Sequence, residues 1–198
     1  MKKISVLALA VLFVVASLQN LSAAARSWEL DMAHSNFYFT VDHIFSKIRG
    51  HFNDYSGEIV FDPADLAASR FFFEIKTASV DTNIAKRDKH LQSADFFDAA
   101  KYPTMTFVSE QITDLGDNHY EIAGKFTVKG VEYDLVLPLT LVGVKDHPTA
   151  KGKKVAGFNG TVTIDRLVHQ VGSGKFYEMG VVGKDVEILV SLEVLSGE

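Results

Sequence analysis

The chain has 198 residues, a formal charge of −5, 47% hydrophobic and 23% charged residues, a balance that excludes disorder and suits one globular domain. A pI near 5.8 gives no electrostatic reason to expect nucleic acid as a partner. With no cysteine in the chain, disulfides, thiol nucleophiles, Cys-zinc sites and iron–sulfur clusters are ruled out together.

Residues 1–25 read as a secretion signal. Lys2 and Lys3 make a positive start, Ile4 to Leu18 is apolar apart from Ser5 and Ser17, and small residues follow at Ser22, Ala23, Ala24 and Ala25. A membrane anchor wants about 20 apolar residues, and there is no Cys for lipid attachment. The expectation is export with cleavage after Ala24 or Ala25, leaving residues 26–198 as one domain in the periplasm.

From Trp28 onward the dominant period is two, the mark of half-buried strands. Phe37, Phe39 and Val41 alternate with Tyr38, Thr40 and Asp42, Ile59 and Phe61 are set against Glu58 and Asp62, and Phe71, Phe73 and Ile75 against Arg70, Glu74 and Lys76. The next break is Asp81-Thr82-Asn83, which offers a helix cap before a short helix over 84–93. Ile84 and Leu91, seven apart, are expected to share the face that presses on the sheet. Asp95 to Ala100 is read as one further turn before Pro103.

Strands resume at 104–114 and 119–129, joined through Leu115-Gly116-Asp117-Asn118. Lys129-Gly130 then turns the chain into 131–143, where Val131 to Leu141 alternate. Pro138 inside that pattern predicts an edge or a bulge. After a loop over 145–154, Ala156, Phe158, Val162 and Ile164 mark another strand. An irregular stretch begins at Gly172-Ser173-Gly174, and Val186 to Val194 form the last strand. So many amphipathic antiparallel strands must close into a sandwich or a barrel. The Phe-rich inward faces favour a barrel of about eight strands.

Several stretches together, in order and spacing, resemble the YceI-like polyisoprenoid-binding family. They are Trp28-Glu29-Leu30-Asp31 with His34-Ser35, Gly50-His51-Phe52, Arg87-Asp88-Lys89-His90-Leu91, Asp95-Phe96-Phe97-Asp98 with Lys101-Tyr102-Pro103, Asp165-Arg166, and Val182-Gly183-Lys184-Asp185-Val186. The resemblance implies an exported, all-β, single antiparallel lipocalin-like barrel with a short capping helix near 83–93. It also implies a polyisoprenoid or isoprenoid-quinone chain in the lumen. Leu167-Val168-His169-Gln170 departs from the family's usual Ser and aromatic-Gly continuation, and Lys125 and Lys129 stand where other residues are usual.

The lumen-wall candidates are Phe37, Phe39, Val41, Ile59, Phe61, Phe71, Phe73, Ile75, Phe107, Ile122, Phe126, Leu135, Val162, Ile164 and Ile188. From pattern alone they either pack on one another in a dry core or line a cavity; the resemblance favours the cavity. His43 continues the phase of Phe37, Phe39 and Val41. Arg87, Asp88 and His90 form the most polar group expected at a barrel mouth, either to meet a head group or to fix the helix as a plug.

The seven His residues form no HxH or HxxxH pair, so no metal site and no cofactor beyond the lipid ligand is expected. No nucleophile–base motif appears, and the expectation is a binding protein for transport, storage or sequestration of the lipid. The alternatives are an enzyme or stress factor acting on such a lipid through His43, His90 or Asp88, or a secreted β-domain without ligand. Lys145, Lys151, Lys153 and Lys154 suit a solvated loop or transient approach to an anionic membrane surface. A monomer and a dimer are both compatible with the sequence.

Overall fold

The structure, a computed structural model, describes residues 25–196. The signal segment expected over 1–25 therefore lies outside the described residues except for Ala25. Eleven strands form one antiparallel sheet: β1 (Arg26–Leu30), β2 (Asn36–His43), β3 (Ser46–Phe52), β4 (Tyr55–Phe61), β5 (Arg70–Lys76), β6 (Val80–Asp81), β7 (Thr104–Gly116), β8 (His119–Val128), β9 (Val131–Asp146), β10 (Lys154–Asp165) and β11 (Val182–Ser196). Two short helices, α1 (Ala85–Leu91) and α2 (Lys175–Glu178), interrupt them.

The pairings close the sheet on itself. β1 pairs with both β4 and β11, so the ring runs β1-β4-β5-β7-β8-β9-β10-β11, eight strands around. β11 is long enough to hold two partners in sequence, β1 through Leu30↔Val194 and β2 through Phe37↔Val190 and Val41↔Val186. β1 and β2 are thus two halves of one interrupted strand, and β3 and β4 likewise. The break at 31–35 is a polar turn: Asp31 Oδ1 accepts the Ala33 N–H, and the Tyr55 hydroxyl donates to the Ser35 carbonyl.

Turn chemistry sets the hairpins. Gly116, Asp117 and Asn118 all have positive φ, as do Lys129 (50°) and Gly130 (73°), which matches the right-handed twist of the strands they join. Pro138 lies inside β9 and pairs with Glu121 of β8. The β9–β10 ladder runs only from Lys154↔Asp146 to Asn159↔Thr140, with a bulge at Gly157/Phe158. The proline stands just past the end of that ladder, where its missing N–H removes no bond.

The helix differs from expectation. α1 has seven residues, so Ile84 precedes its first turn and is exposed, while Leu91 packs inward. Ile84 occupies the cap position without a side-chain bond, and Asn83 takes φ 62°. Residues 94–102 form successive tight turns instead of a further helical turn, with Asp98 at φ 51°.

The barrel interior divides in two. At the end where the strands β1 and β4 close the ring, Trp28, Ile59, Phe61, Phe71, Tyr120, Ile122, Leu139 and Phe158 fill the section completely. Phe158 meets Phe61 (5.2 Å) and Phe71 (5.6 Å) edge-on, and Tyr120 meets Phe61 at 5.1 Å, the arrangement that ring quadrupoles favour. Toward the other end the rings separate.

Candidate functional site: an apolar cavity under two caps

Between the ring-packed section and the loops at the opposite end lies a cavity of about 170 Å³ whose surface is wholly apolar. Among the expected wall residues, β2 contributes Phe37, Phe39 and Val41, and β5 contributes Phe73 and Ile75. Phe107, Phe126, Leu135, Val162, Ile164 and Ile188 supply the wall from β7 to β11. Ile59, Phe61, Phe71 and Ile122 do not border it; they belong to the filled section. Strand alternation assigns a residue to the inner face but says nothing of its height along the barrel axis, so the two groups look alike in sequence.

Two segments cover the cavity. The first is α1 with the turns after it, which bring Leu91, Phe96 and Phe97 over Phe52, Val80, Met105 and Val128. It fills the space between β6 and the start of β7, where the ring lacks a strand pairing. The second is the loop 166–171 after β10, which lies where β9 and β10 have stopped pairing. His169 packs its ring on Tyr133 (4.5 Å) and Phe126 (5.7 Å), and Gln170 donates to the Tyr133 hydroxyl.

Arg166 holds this second cap. It is buried, and its guanidinium donates to the carbonyls of Gly183 (2.7 Å), Val171 (2.9 Å) and Val182 (3.3 Å). Burial pulls its pKa below the ordinary arginine value, with the Asp165 charge opposing that shift. The His169 Nδ1 sits 2.7 Å from the Asp165 carbonyl; a carbonyl only accepts, so Nδ1 carries the proton. Neither residue had been singled out as a site residue from sequence. Both lie in a loop, and only the fold brings them to the cavity.

The four polar residues expected at the mouth do not border the cavity. Asp88 accepts both the N–H and hydroxyl of Thr82, and Arg87 donates to the Thr82 hydroxyl (2.6 Å) and carbonyl (2.7 Å). They pin α1 to the end of β6, the plug reading of this cluster. His90 bonds Asp95 at 3.0 Å and packs on Phe96 and Phe176. His43 ends β2, where its carbonyl accepts the Ser46 hydroxyl across the hairpin.

The structure also gathers Asp31, His34 and Glu193, whose ligand atoms lie within 4.8 Å of one another. The His34 Nδ1–Asp31 bond at 2.8 Å lowers the aspartate pKa and raises that of the histidine. Glu193 comes from the far end of the chain, so no sequence spacing reveals the group. The basic loop of Lys145, Lys151, Lys153 and Lys154 joins β9 to β10 at the filled end of the barrel, and Lys154 is paired with Asp146.

A closed eight-stranded antiparallel barrel with an apolar cavity beneath short caps defines the class of lipocalin-like barrels. The YceI-like domain family matches residues 28–194, and the chain belongs to it. A UPF0312 protein of Vibrio cholerae is 37% identical over 164 residues, covering 80% of this chain and 86% of its own. One from Pectobacterium atrosepticum is 34% identical over 194 residues, 98% and 97% of the two chains. Among solved structures, BcnA of Burkholderia cenocepacia superposes with a TM-score of 0.74 at 27% identity, over 85% of this chain and all of its own. The Campylobacter jejuni YCEI protein gives 0.68 at 33%, over 78% and 88%. A polyisoprenoid binding domain from Saccharophagus degradans gives 0.62 at 14%, over 88% and 100%; at that identity the likeness is one of fold.

Proposed function

We propose that the protein is a carrier that holds the hydrocarbon chain of an isoprenoid lipid or isoprenoid quinone in the barrel cavity, and acts by shelter, without making or breaking bonds. The observation that carries this reading is the wholly apolar cavity beside a section of the same barrel packed solid with rings. The chain has the side chains to fill its interior and does so in one half only. The binding named for the Saccharophagus protein agrees with the reading. An exported, periplasmic carrier accords with the signal pattern at residues 1–25.

The energetics need no metal or covalent link. Burying one five-carbon isoprene unit gives about 4 kcal/mol gross, reduced by the ordering of a flexible chain. A cavity of about 170 Å³ is close in size to one that takes a single benzene, so it accommodates one or two isoprene units with the caps closed. Longer chains require Leu91, Phe96, Phe97 and Val171 to move outward. A polar head group finds no partner inside and stays at the caps.

The test is mass spectrometry of an organic extract of the purified protein, alongside the variant Ile188→Trp, which fills the cavity from β11. The expected result is an isoprenoid in the wild-type extract and its loss from a folded Ile188→Trp. A lipid-free extract from a host rich in isoprenoids, or equal lipid in both, counts against a carrier. Turnover of the bound lipid would favour an enzyme.

A further inference from the structure

Exposed apolar side chains occur over the whole barrel, Met32 (51%), Leu115 (59%) and Val142 (63%) among them, but Phe45 exceeds them all. Those on strands, such as Val108 and Leu189, are single outward-facing residues of a kind common on protein surfaces. At the capped end, apolar residues stand instead in loops, where polar residues are the rule. Phe45 is fully exposed (102%) at the tip of the β2–β3 hairpin, with Ile44 (57%) beside it. Tyr177 lies in the short α2, Met179 follows it, and Val168 projects from the second cap, all exposed.

These residues belong to one rim. The Ile44 N–H donates to the Val181 carbonyl (3.0 Å), and His43 pairs with Val182; this ties the hairpin tip to the segment carrying Met179. Arg166 reaches Gly183 and Val182 from the other side. Ile44 holds φ at 50°, a left-handed conformation that is an outlier for a β-branched residue. A Gly or Asn would relieve it, yet the hairpin presents Ile and Phe.

We infer that this rim is a docking surface for a phospholipid bilayer, with Phe45 as the side chain that enters the interface. The inference rests on the carrier reading above: a guest insoluble in water passes into an apolar cavity most readily from a rim that already touches the membrane. The exposed area argues against a second copy as occupant. One Phe and a few partly exposed neighbours offer a few hundred Å², short of the roughly 800 Å² per partner of a stable interface.

Charge fits a neutral surface. Lys47 is paired with Asp42 and Lys184 with Asp165 and Asp185, so the rim carries little net positive field. The basic loop 145–154 lies at the opposite end of β9 and β10, and contact there would turn the cavity away from the bilayer. Adhesion through Phe45 therefore persists in salt, unlike adhesion through lysines.

The experiment is flotation of the protein purified from the exported fraction, its signal segment removed, with phosphatidylcholine vesicles at low and high salt. The variants are Phe45→Ser and, as a control, Val144→Ser, exposed at the far end of β9. The expected result is binding that survives high salt, falls about tenfold or more in Phe45→Ser, and is unchanged in Val144→Ser. Phe45→Trp supplies a second readout: its emission shifts to the blue on adding vesicles, against the single other tryptophan, buried Trp28.

Absent binding, or equal binding by Phe45→Ser, overturns the inference. So does light scattering that shows a dimer dissociated by Phe45→Ser with vesicle binding unaltered. If lipid is extracted from a protein that ignores vesicles, this inference fails and the carrier reading stands. Phe45-dependent binding by a lipid-free protein reverses that outcome.

Discussion

Phe96 and Phe176 stack almost parallel, their ring centroids 6.2 Å apart and their planes 13° from one another. The contact joins the first cap to α2, the helix that follows the second cap in the chain, since Phe96 follows α1 and Phe176 lies in α2. His90 completes the cluster edge-on to both rings, at 5.1 and 5.9 Å. Helix α1 has no buried residue of its own, so this cluster and the Thr82 bonds hold much of the first cap.

Phe176→Ala is accordingly expected to loosen the cap more than the barrel. Global stability falls by about 1 kcal/mol, while amide exchange over 85–99 accelerates well beyond that of the strands. Hydrogen-exchange mass spectrometry checks this; uniform acceleration along the chain would show that the cap does not open on its own.

Arg166→Lys tests the second cap. A lysine keeps the charge but lacks the fork that addresses the carbonyls of Gly183, Val171 and Val182. Leaving these acceptors short of donors costs about 3 kcal/mol, read as a lower urea midpoint at unchanged slope. A midpoint equal to that of wild type would mean that charge alone secures the loop.

The filled and hollow sections respond differently to truncation. Phe158→Ala removes a side chain at 0% exposure among Phe61 and Phe71 and is expected to cost about 4 kcal/mol. Ile188→Val, at the cavity wall, removes a group whose neighbourhood is already open and costs about 0.5 kcal/mol. Chemical denaturation of both variants decides; comparable losses would argue that the interior is uniformly packed.

Gly160→Ala is a test of backbone approach. An added Cβ would lie 1.9 Å from the Pro138 carbonyl oxygen, which no side-chain rotation relieves. The expected outcome is a loss of several kcal/mol, seen as a cooperative transition displaced to much lower denaturant or as an unfolded product.

The Asp31–His34 pair gives a pH signature. His34 binds its proton more tightly in the folded state, so its contribution is complete below the unfolded histidine pKa and is lost as pH rises through the raised folded value. Asp31 is lowered, chiefly by its bond to His34; its contribution is present above the unfolded carboxyl pKa and is lost as pH falls through the folded one. The pair is fully effective between those limits. NMR titration of the His34 ring should show a pKa above the ordinary value that returns toward it in Asp31→Asn. An unchanged pKa in the variant would break the assignment.

What could be read in the sequence followed from local chemistry. Alternation in β5 and β8 to β11 identified strands, inner faces and the two tight hairpins, because each signal lies within a few residues. β3 was harder, since Gly50 stands where an apolar residue would mark the phase: a Cβ there would meet Phe39 and the Asp81 carbonyl. The height of Ile59 or Phe71 along the barrel, the carbonyl partners of Arg166 and the meeting of His34 with Glu193 depend on strand tilt and ring closure. No run of neighbouring residues encodes them.

Because β11 supplies the partner for both β1 and β2, the ring shuts only when its final strand arrives. Strands β1 to β10 without β11 would make a curled sheet with two free edges and a greasy concave face turned to solvent. Such a nascent chain is a natural client for a chaperone, and a product shortened before Val182 should aggregate instead of folding into a smaller barrel.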